Sequence, residues 1–386
     1  MNITIEGHVS AGFEPVKDTF AALWEGIEVG SSCSVVYQGV QVVDLWGGYV
    51  DREMTTPWQR DTLINVYSTT KGMASLAIAI LFDEGLIDYD EKVTTYWPEF
   101  GAEGKQEVTV AQLLSHQAGL CGVDTRLEVE DLYDWNKMVN LLAAQKPLWE
   151  PGTAAGYHAI TWGYFPGELV RRITGKTLGQ YFHEKVAAPL GADFYIGLPE
   201  SEMSRCGTLI GPNRARKMPE VSAEATEPPA LYAIALQNPS IAPYRDASSD
   251  AWRRAEIAAA NGQGNARGIA KIYGALANGG TLEDTSIVSK RALAAATKQE
   301  VGDQVDLVTG GPMRRARGFM LNTDGAYGPH PDAFGHSGAG GSAGFADPHR
   351  NVGFGYAMNQ MQADITASPR TSKLIKSVYQ CIDSSN

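Results

Sequence analysis

Cysteine is scarce in this chain. Cys33, Cys121, Cys206 and Cys381 lie far apart, without the dense spacing of a small disulfide scaffold or the paired spacing of a zinc site. They read as reduced or buried thiols, and a cytoplasmic setting is expected. Long apolar runs are missing as well. The best candidate, residues 76–82 in SLAIAILF, falls far short of the roughly 18 residues a membrane helix needs, so no membrane partner is expected. The first residues, MNITIEGHVSAGF, have no basic n-region, apolar core or small-residue cleavage site, and are not expected to act as a secretory signal. Positive charge is in deficit, with 32 Lys and Arg against 44 Asp and Glu and a formal charge of −12. Nucleic acid needs a basic surface, so that partner is excluded, and the excess negative charge serves solubility. The seven histidines form no HExxH or HxH, and no Walker or dinucleotide fingerprint joins a strand to a helix. No metal and no cofactor are expected.

What is present is ordinary for a globular protein: 44% hydrophobic and 20% charged residues over a length that suits two lobes, or one core with a large insertion. Residues 15–26 carry Phe20, Leu23 and Trp24 at helical spacing. SCSVVYQGVQVVDLWGGYVD reads as a hairpin turning at Gln38-Gly39. TLINVYS is strand-like and runs into STTKGMASLAIAILFDEG, a helical pattern ended by Gly85. Capping boxes at Thr109/Gln112 and Thr177/Gln180, and a cap at Asn265, mark a helical middle. Residues 206–252, rich in Pro, Ala, Ser and Glu, read as long loops. Beyond about residue 310 come short strand-like runs, and then a final helix over 364–382. The expected architecture is α+β: one antiparallel sheet built from both chain termini and flanked by helices, spanning 1–80 and 286–386, with a mainly helical insert over 81–285. The active site is expected in the cleft between the two.

Ser68-Thr69-Thr70-Lys71 is the element with chemical content. If Ser68 opens the helix, Lys71 stands one turn later on the same face, and the hydroxyl lies near the positive end of the helix dipole. A serine hydroxyl is a poor nucleophile at neutral pH, and a neighbouring amine whose pKa is lowered by burial and nearby positive charge can take its proton. Taken alone the tetrapeptide is weak, since a capping serine with a solvated lysine has the same pattern. The strand before it and the apolar helix after it turn Lys71 towards the core boundary.

Four segments, in order over about residues 15–380, resemble the serine β-lactamase and penicillin-binding protein superfamily, most of all its class C-type carboxylesterases of family VIII. VYSTTKGMASLAIAILFDEGLIDYDEKVTTYWPEF is similar to the first motif and its helix, and LLSHQAGL at 113–120 to the LLxHxSGL turn. EPGTAAGYHAITWGYFPGELVRRITGK resembles the segment whose tyrosine begins Y-x-N or Y-x-x. FGHSGAGGSAGFADP resembles the third motif, K-T-G in lactamases and H-x-G or W-x-G in the esterases. The resemblance implies Ser68 as nucleophile, Lys71 as general base and Tyr157 as the phenol that shares the proton and later protonates the leaving group. It implies His336, Ser337 and Gly338 along the substrate, and an oxyanion hole from the main-chain N–H groups of Ser68 and Ala339, each donor worth roughly 3 kcal/mol in the transition state.

The implied activity is a carboxylesterase for small to medium acyl esters, working through an acyl-enzyme. β-Lactamase, D-amino-acid peptidase and acyltransferase are the alternative activities of the superfamily, and a non-catalytic ligand-binding or sensor protein with this fold is the alternative of another functional class. Two positions depart from the lactamase pattern. Ala159 replaces the Asn of Y-x-N and His336 the Lys of K-T-G, which shifts the expectation to neutral esters, with weak lactam turnover left open. The expected partner is a small-molecule ester; monomer and dimer both remain open.

A rival nucleophile is Ser342, because Gly340-Gly341-Ser342-Ala343-Gly344 satisfies G-x-S-x-G. That signature works in a strand–turn–helix with an acid and then a histidine downstream. The following FADPHRNVGFGYAMN reads strand–turn–strand, and its only later histidine is His349, so Ser342 is rejected. His116 and His158 read as structural.

Overall fold

A computed structural model describes residues 3–26, 28–212, 229–362 and 368–384. Three strands from one end of the chain, Ile5–Val9 (β1), Gly30–Tyr37 (β2) and Val40–Gly48 (β3), join four from the other. These are Met320–Leu321 (β4), Phe334–Ser337 (β5), Ala343–Asp347 (β6) and Val352–Met358 (β7). Together they form one antiparallel sheet in the order β1-β3-β2-β7-β6-β5-β4. The β2–β3 hairpin turns at Gln38 and Gly39, both at positive φ (50° and 80°), as tight two-residue hairpin turns require. The two ends of the chain meet where β2 pairs with β7, from Tyr37↔Val352 to Ser31↔Met358. The expected α+β sheet from both termini is present.

Five helices matter for the site: Glu14–Ala22 (α1), Thr70–Asp83 (α2), Tyr164–Thr174 (α3), Ala266–Ala277 (α4) and Pro369–Ser384 (α5). Successive side chains of β7 point to opposite faces. Its glycine face carries α4: a Cβ on Gly353 would stand 2.1 Å from the Gly274 nitrogen, and one on Gly355 would stand 2.2 Å from the Ala266 carbonyl oxygen. On the other face the Tyr356 hydroxyl donates to Glu28, which also accepts from Arg370 of α5. Helix α4 falls within 81–285, the span expected for the helical insert, yet it packs on the sheet. Helical periodicity marks a helix and not the layer it joins.

Helix α2 is buried from Thr70 through Leu81, because its side chains other than Lys71 are small or apolar on every side. It packs against both α3 and β5, so it lies between the sheet and the helical region. Gly85, at φ 71°, follows its end as expected. Both capping boxes form, and Asn265 caps α4. The last helix starts at Pro369 rather than 364, and residues 364–367 lie outside the described residues. Within the expected loops of 206–252 there are two short helices, Tyr232–Leu236 and Asp250–Arg254, while 213–228 lie outside the described residues. Among the described residues no helix is long and apolar enough to cross a membrane.

Candidate active site

The strand Ile64–Asn65 leads into a 3-10 turn, Tyr67–Thr69, which runs directly into α2. Tyr67 has φ 44°, a left-handed conformation that costs a non-glycine residue about 1–3 kcal/mol and needs outside support. The support is visible. The Tyr67 hydroxyl donates to the Pro243 carbonyl, and Thr70 Oγ1 accepts from Gly262 N at 2.9 Å. From the sheet side, Ser342 Oγ donates to the Val66 carbonyl at 2.7 Å and lies 3.0 Å from Thr69 Oγ1. Ser342 is therefore a buried strut beneath the turn, followed by strand β6 and not by a helix.

This turn projects Ser68 into the cleft with Lys71 one helical turn behind it. Lys71 Nζ lies 3.1 Å from Ser68 Oγ, 2.7 Å from the Ala159 carbonyl and 2.9 Å from the Ala259 carbonyl. The side chain is fully buried, and this burial holds its pKa well below 10.5. A neutral amine has two N–H donors and one lone pair. In that form the two carbonyls would take the donors and leave the lone pair to the serine hydroxyl.

The Tyr157 hydroxyl donates to Ser68 Oγ at 2.8 Å, and its ring centroid lies 4.9 Å from Lys71 Nζ. Burial raises the phenol pKa well above its ordinary value, so Tyr157 keeps its proton at neutral pH. The chain around Tyr157 is fastened from several sides. His158 N donates to His116 Nδ1 at 3.0 Å, and His158 Nε2 accepts from Leu120 N at 2.9 Å. Nδ1 of His158 must then carry the proton, which it gives to the Gly156 carbonyl. Burial keeps both imidazoles neutral, His158 at a pKa of about 3. Their position fits the structural reading.

His336 stands on β5 and lines the pocket. Its Nδ1–H donates to the Ser337 carbonyl at 2.7 Å, and burial pushes its pKa down to about 3. It is thus a neutral group where K-T-G has a cation. Ser337 and Ala339 also line the pocket, and among the described residues no acceptor engages the main-chain N–H of Ser68 or Ala339. Gly338 departs from expectation. It does not line the pocket, and a Cβ there would stand 2.1 Å from the Val66 carbonyl oxygen and 2.3 Å from Ser342 Oγ. Its place is beneath the serine turn, where only a missing side chain lets β5 approach. Gly338→Ala is expected to cost about 1–3 kcal/mol; a denaturation midpoint equal to wild type would contradict that contact.

The pocket has a volume of about 570 Å³, with Ile160, Leu236, Ile241, Met313 and Leu321 among its apolar walls. Among the described residues its only charged lining residues are Arg314 and Asp324. Arg314 is committed to the Asn322 carbonyl at 2.9 Å and Gln299 Oε1 at 2.7 Å. A second cleft, of about 730 Å³ around Trp135 and Glu256, contains none of these site residues. Among the described residues no cluster of His, Cys, Asp or Glu could hold a metal. Sequence reading missed Asp306, whose buried carboxylate accepts the Tyr157 N–H at 3.2 Å, and the two carbonyls on Lys71. A main-chain carbonyl leaves no residue signature, and Asp306 lies 149 residues from Tyr157.

The chain belongs to the beta-lactamase family, whose profile matches residues 16–373, and its α+β fold is β-lactamase-like. Particular relatives are similar over nearly the whole length. A family VIII carboxylesterase of known crystal structure shares 51% identity at a TM-score of 0.92, covering 98% of this chain and 100% of that one. EstA from Arthrobacter nitroguajacolicus Rue61a shares 34% at a TM-score of 0.85, covering 100% and 99%. Esterase/beta-lactamase LipL of Mycobacterium tuberculosis (strain ATCC 25618 / H37Rv) is 35% identical over 377 residues, 92% of this chain and 83% of that protein.

Proposed function

We propose that this protein is a carboxylesterase that hydrolyses small to medium, uncharged acyl esters through an acyl-enzyme on Ser68. The observation that carries the reading is the serine hydroxyl held between a fully buried amine at 3.1 Å and a phenol at 2.8 Å. Lys71 accepts the Ser68 proton as Oγ bonds to the ester carbonyl carbon, and the carbonyl π electrons move onto oxygen. The N–H groups of Ser68 and Ala339 hold that oxyanion. As the tetrahedral carbon collapses, the alkoxide leaves with a proton from Tyr157, which is replenished from protonated Lys71. Water repeats the sequence on the acyl-enzyme, and Ser68 regains its proton.

The esterase names of the similar proteins support this substrate class, and so does the neutral His336. A substrate carboxylate, as β-lactams carry, would meet no cation at the His336 position; Arg314, the one cation among the described lining residues, is tied to neutral acceptors at Asn322 and Gln299. The few, widely spaced cysteines support a reducing, cytoplasmic setting. A fluorophosphonate probe is expected to add its mass to the peptide bearing Ser68, with nitrophenyl esters turned over much faster than nitrocefin. Full labelling of Ser68→Ala would remove the nucleophile assignment. Rapid nitrocefin turnover beside feeble ester cleavage would remove the substrate class.

A further inference from the structure

Asp306 and Arg315 form an ion pair whose side chains are 0% and 1% exposed, beneath the segment that carries Tyr157. A buried ion pair is weak evidence of stabilisation, because desolvating both charges offsets their attraction and an apolar pair of similar volume often serves as well. What an apolar pair cannot do is accept hydrogen bonds. One oxygen of Asp306 accepts from Tyr157 N at 3.2 Å, Val308 N at 2.9 Å, Thr309 N at 2.7 Å and Thr309 Oγ1 at 3.1 Å. Its other oxygen takes the Arg315 guanidinium. Burial disfavours the charged carboxylate, but Arg315 and the N–H donors outweigh it and keep Asp306 ionised.

The two chain segments are stitched once more where Leu307 N donates to the Ala155 carbonyl at 3.0 Å. Arg315 in turn is fixed by main-chain pairing with Val301 in both directions, each bond 3.0 Å. The phenol at the end of this chain of contacts must meet Ser68 Oγ at hydrogen-bond distance, and an error of about 1 Å in such a group costs roughly 100-fold in rate.

We propose that the Asp306–Arg315 pair is a positioning device for Tyr157, setting the phenol against Ser68 by holding the Tyr157 main chain from below. This rests on the reading of Tyr157 as the proton-sharing phenol. Neither residue touches the reacting atoms, so both act through Tyr157.

The test is a double-mutant cycle on kcat and KM for a nitrophenyl ester. Asp306→Ala/Arg315→Met removes both charges together, so that neither is left buried alone. It is expected to lower kcat by about 10- to 100-fold, with KM changed less than about twofold. Asp306→Asn/Arg315→Gln keeps an acceptor under the Tyr157 N–H and is expected to recover most of that loss. In a Tyr157→Phe background the pair deletion should change kcat by no more than about threefold, because the device then has nothing to position.

Equal fold-losses in the wild-type and Tyr157→Phe backgrounds, or wild-type kcat in a folded pair deletion, would overturn the proposal while Tyr157 keeps its role. Wild-type turnover in Tyr157→Phe would remove Tyr157 from the reaction, and the positioning role with it. If the pair deletion does not melt cooperatively, Asp306→Glu carries the same cycle, since it keeps the charge and moves the carboxylate by one methylene. An unchanged kcat in Asp306→Glu, or one equally depressed in both backgrounds, would count against the proposal.

Discussion

Lys71→Met is expected to lower kcat/KM for a nitrophenyl ester by about 10⁴-fold, and adding Ser68→Ala to it should lower the rate by less than about tenfold more. Nucleophile and base act as one unit: without the amine the hydroxyl keeps its proton, so the second loss removes little that is left. The geometry makes the amine hard to replace. Its two N–H groups are consumed by the Ala159 and Ala259 carbonyls, at 2.7 and 2.9 Å, which orients the remaining lone pair at Ser68. Methionine has similar length and no basic atom. In the wild-type enzyme, kcat/KM should fall on the acid side as Lys71 becomes protonated, at a pH well below the 10.5 of an ordinary lysine. Turnover by Lys71→Met within tenfold of wild type would remove Lys71 as the base.

The same burial has a consequence for stability. Burial holds the folded pKa of Lys71 well below the value of about 10.5 up to which the unfolded chain binds the proton. Between its lowered folded pKa and that value the unfolded state holds one proton more, so the unfolding free energy rises with pH. The rise from this one group approaches 1.4 kcal/mol per pH unit within the window, roughly the energy of one pKa unit. Below the folded pKa both states carry the proton and the slope vanishes. Lys105, also buried and lowered to about 8, adds a slope of the same sign, so the Lys71 share is the difference between wild type and Lys71→Met. The wild-type urea midpoint should gain on that of the variant as pH rises across the alkaline range; the buried thiols and phenols, whose raised pKa values act with the opposite sign, are common to both. Parallel curves would show that Lys71 is charged in the folded protein.

Legibility followed the range of the interaction. The β2–β3 turn, both capping boxes and the end of α2 depend on residues a few positions apart, and each could be read directly. The trio of Ser68, Lys71 and Tyr157 was legible partly by spacing and partly by resemblance, and the fold brings all three within hydrogen-bond reach. Gly338 was assigned to the substrate, but its missing side chain makes room for Val66 and Ser342. No short-range pattern distinguishes a glycine beside a ligand from one beside another strand. Asp306 and Arg315 sit in a stretch with no motif, and only their burial against Tyr157 gives them meaning.

By itself the sequence determined which groups are available and which stand one helical turn apart: a hydroxyl at 68, an amine at 71, and an apolar helix able to bury the second behind the first. Tertiary structure alone decided their protonation. Whether an amine or imidazole carries charge depends on how much water is excluded around it. That exclusion at Lys71 and His336 comes from segments as distant as Ala159, Ala259 and the two ends of the chain paired in one sheet.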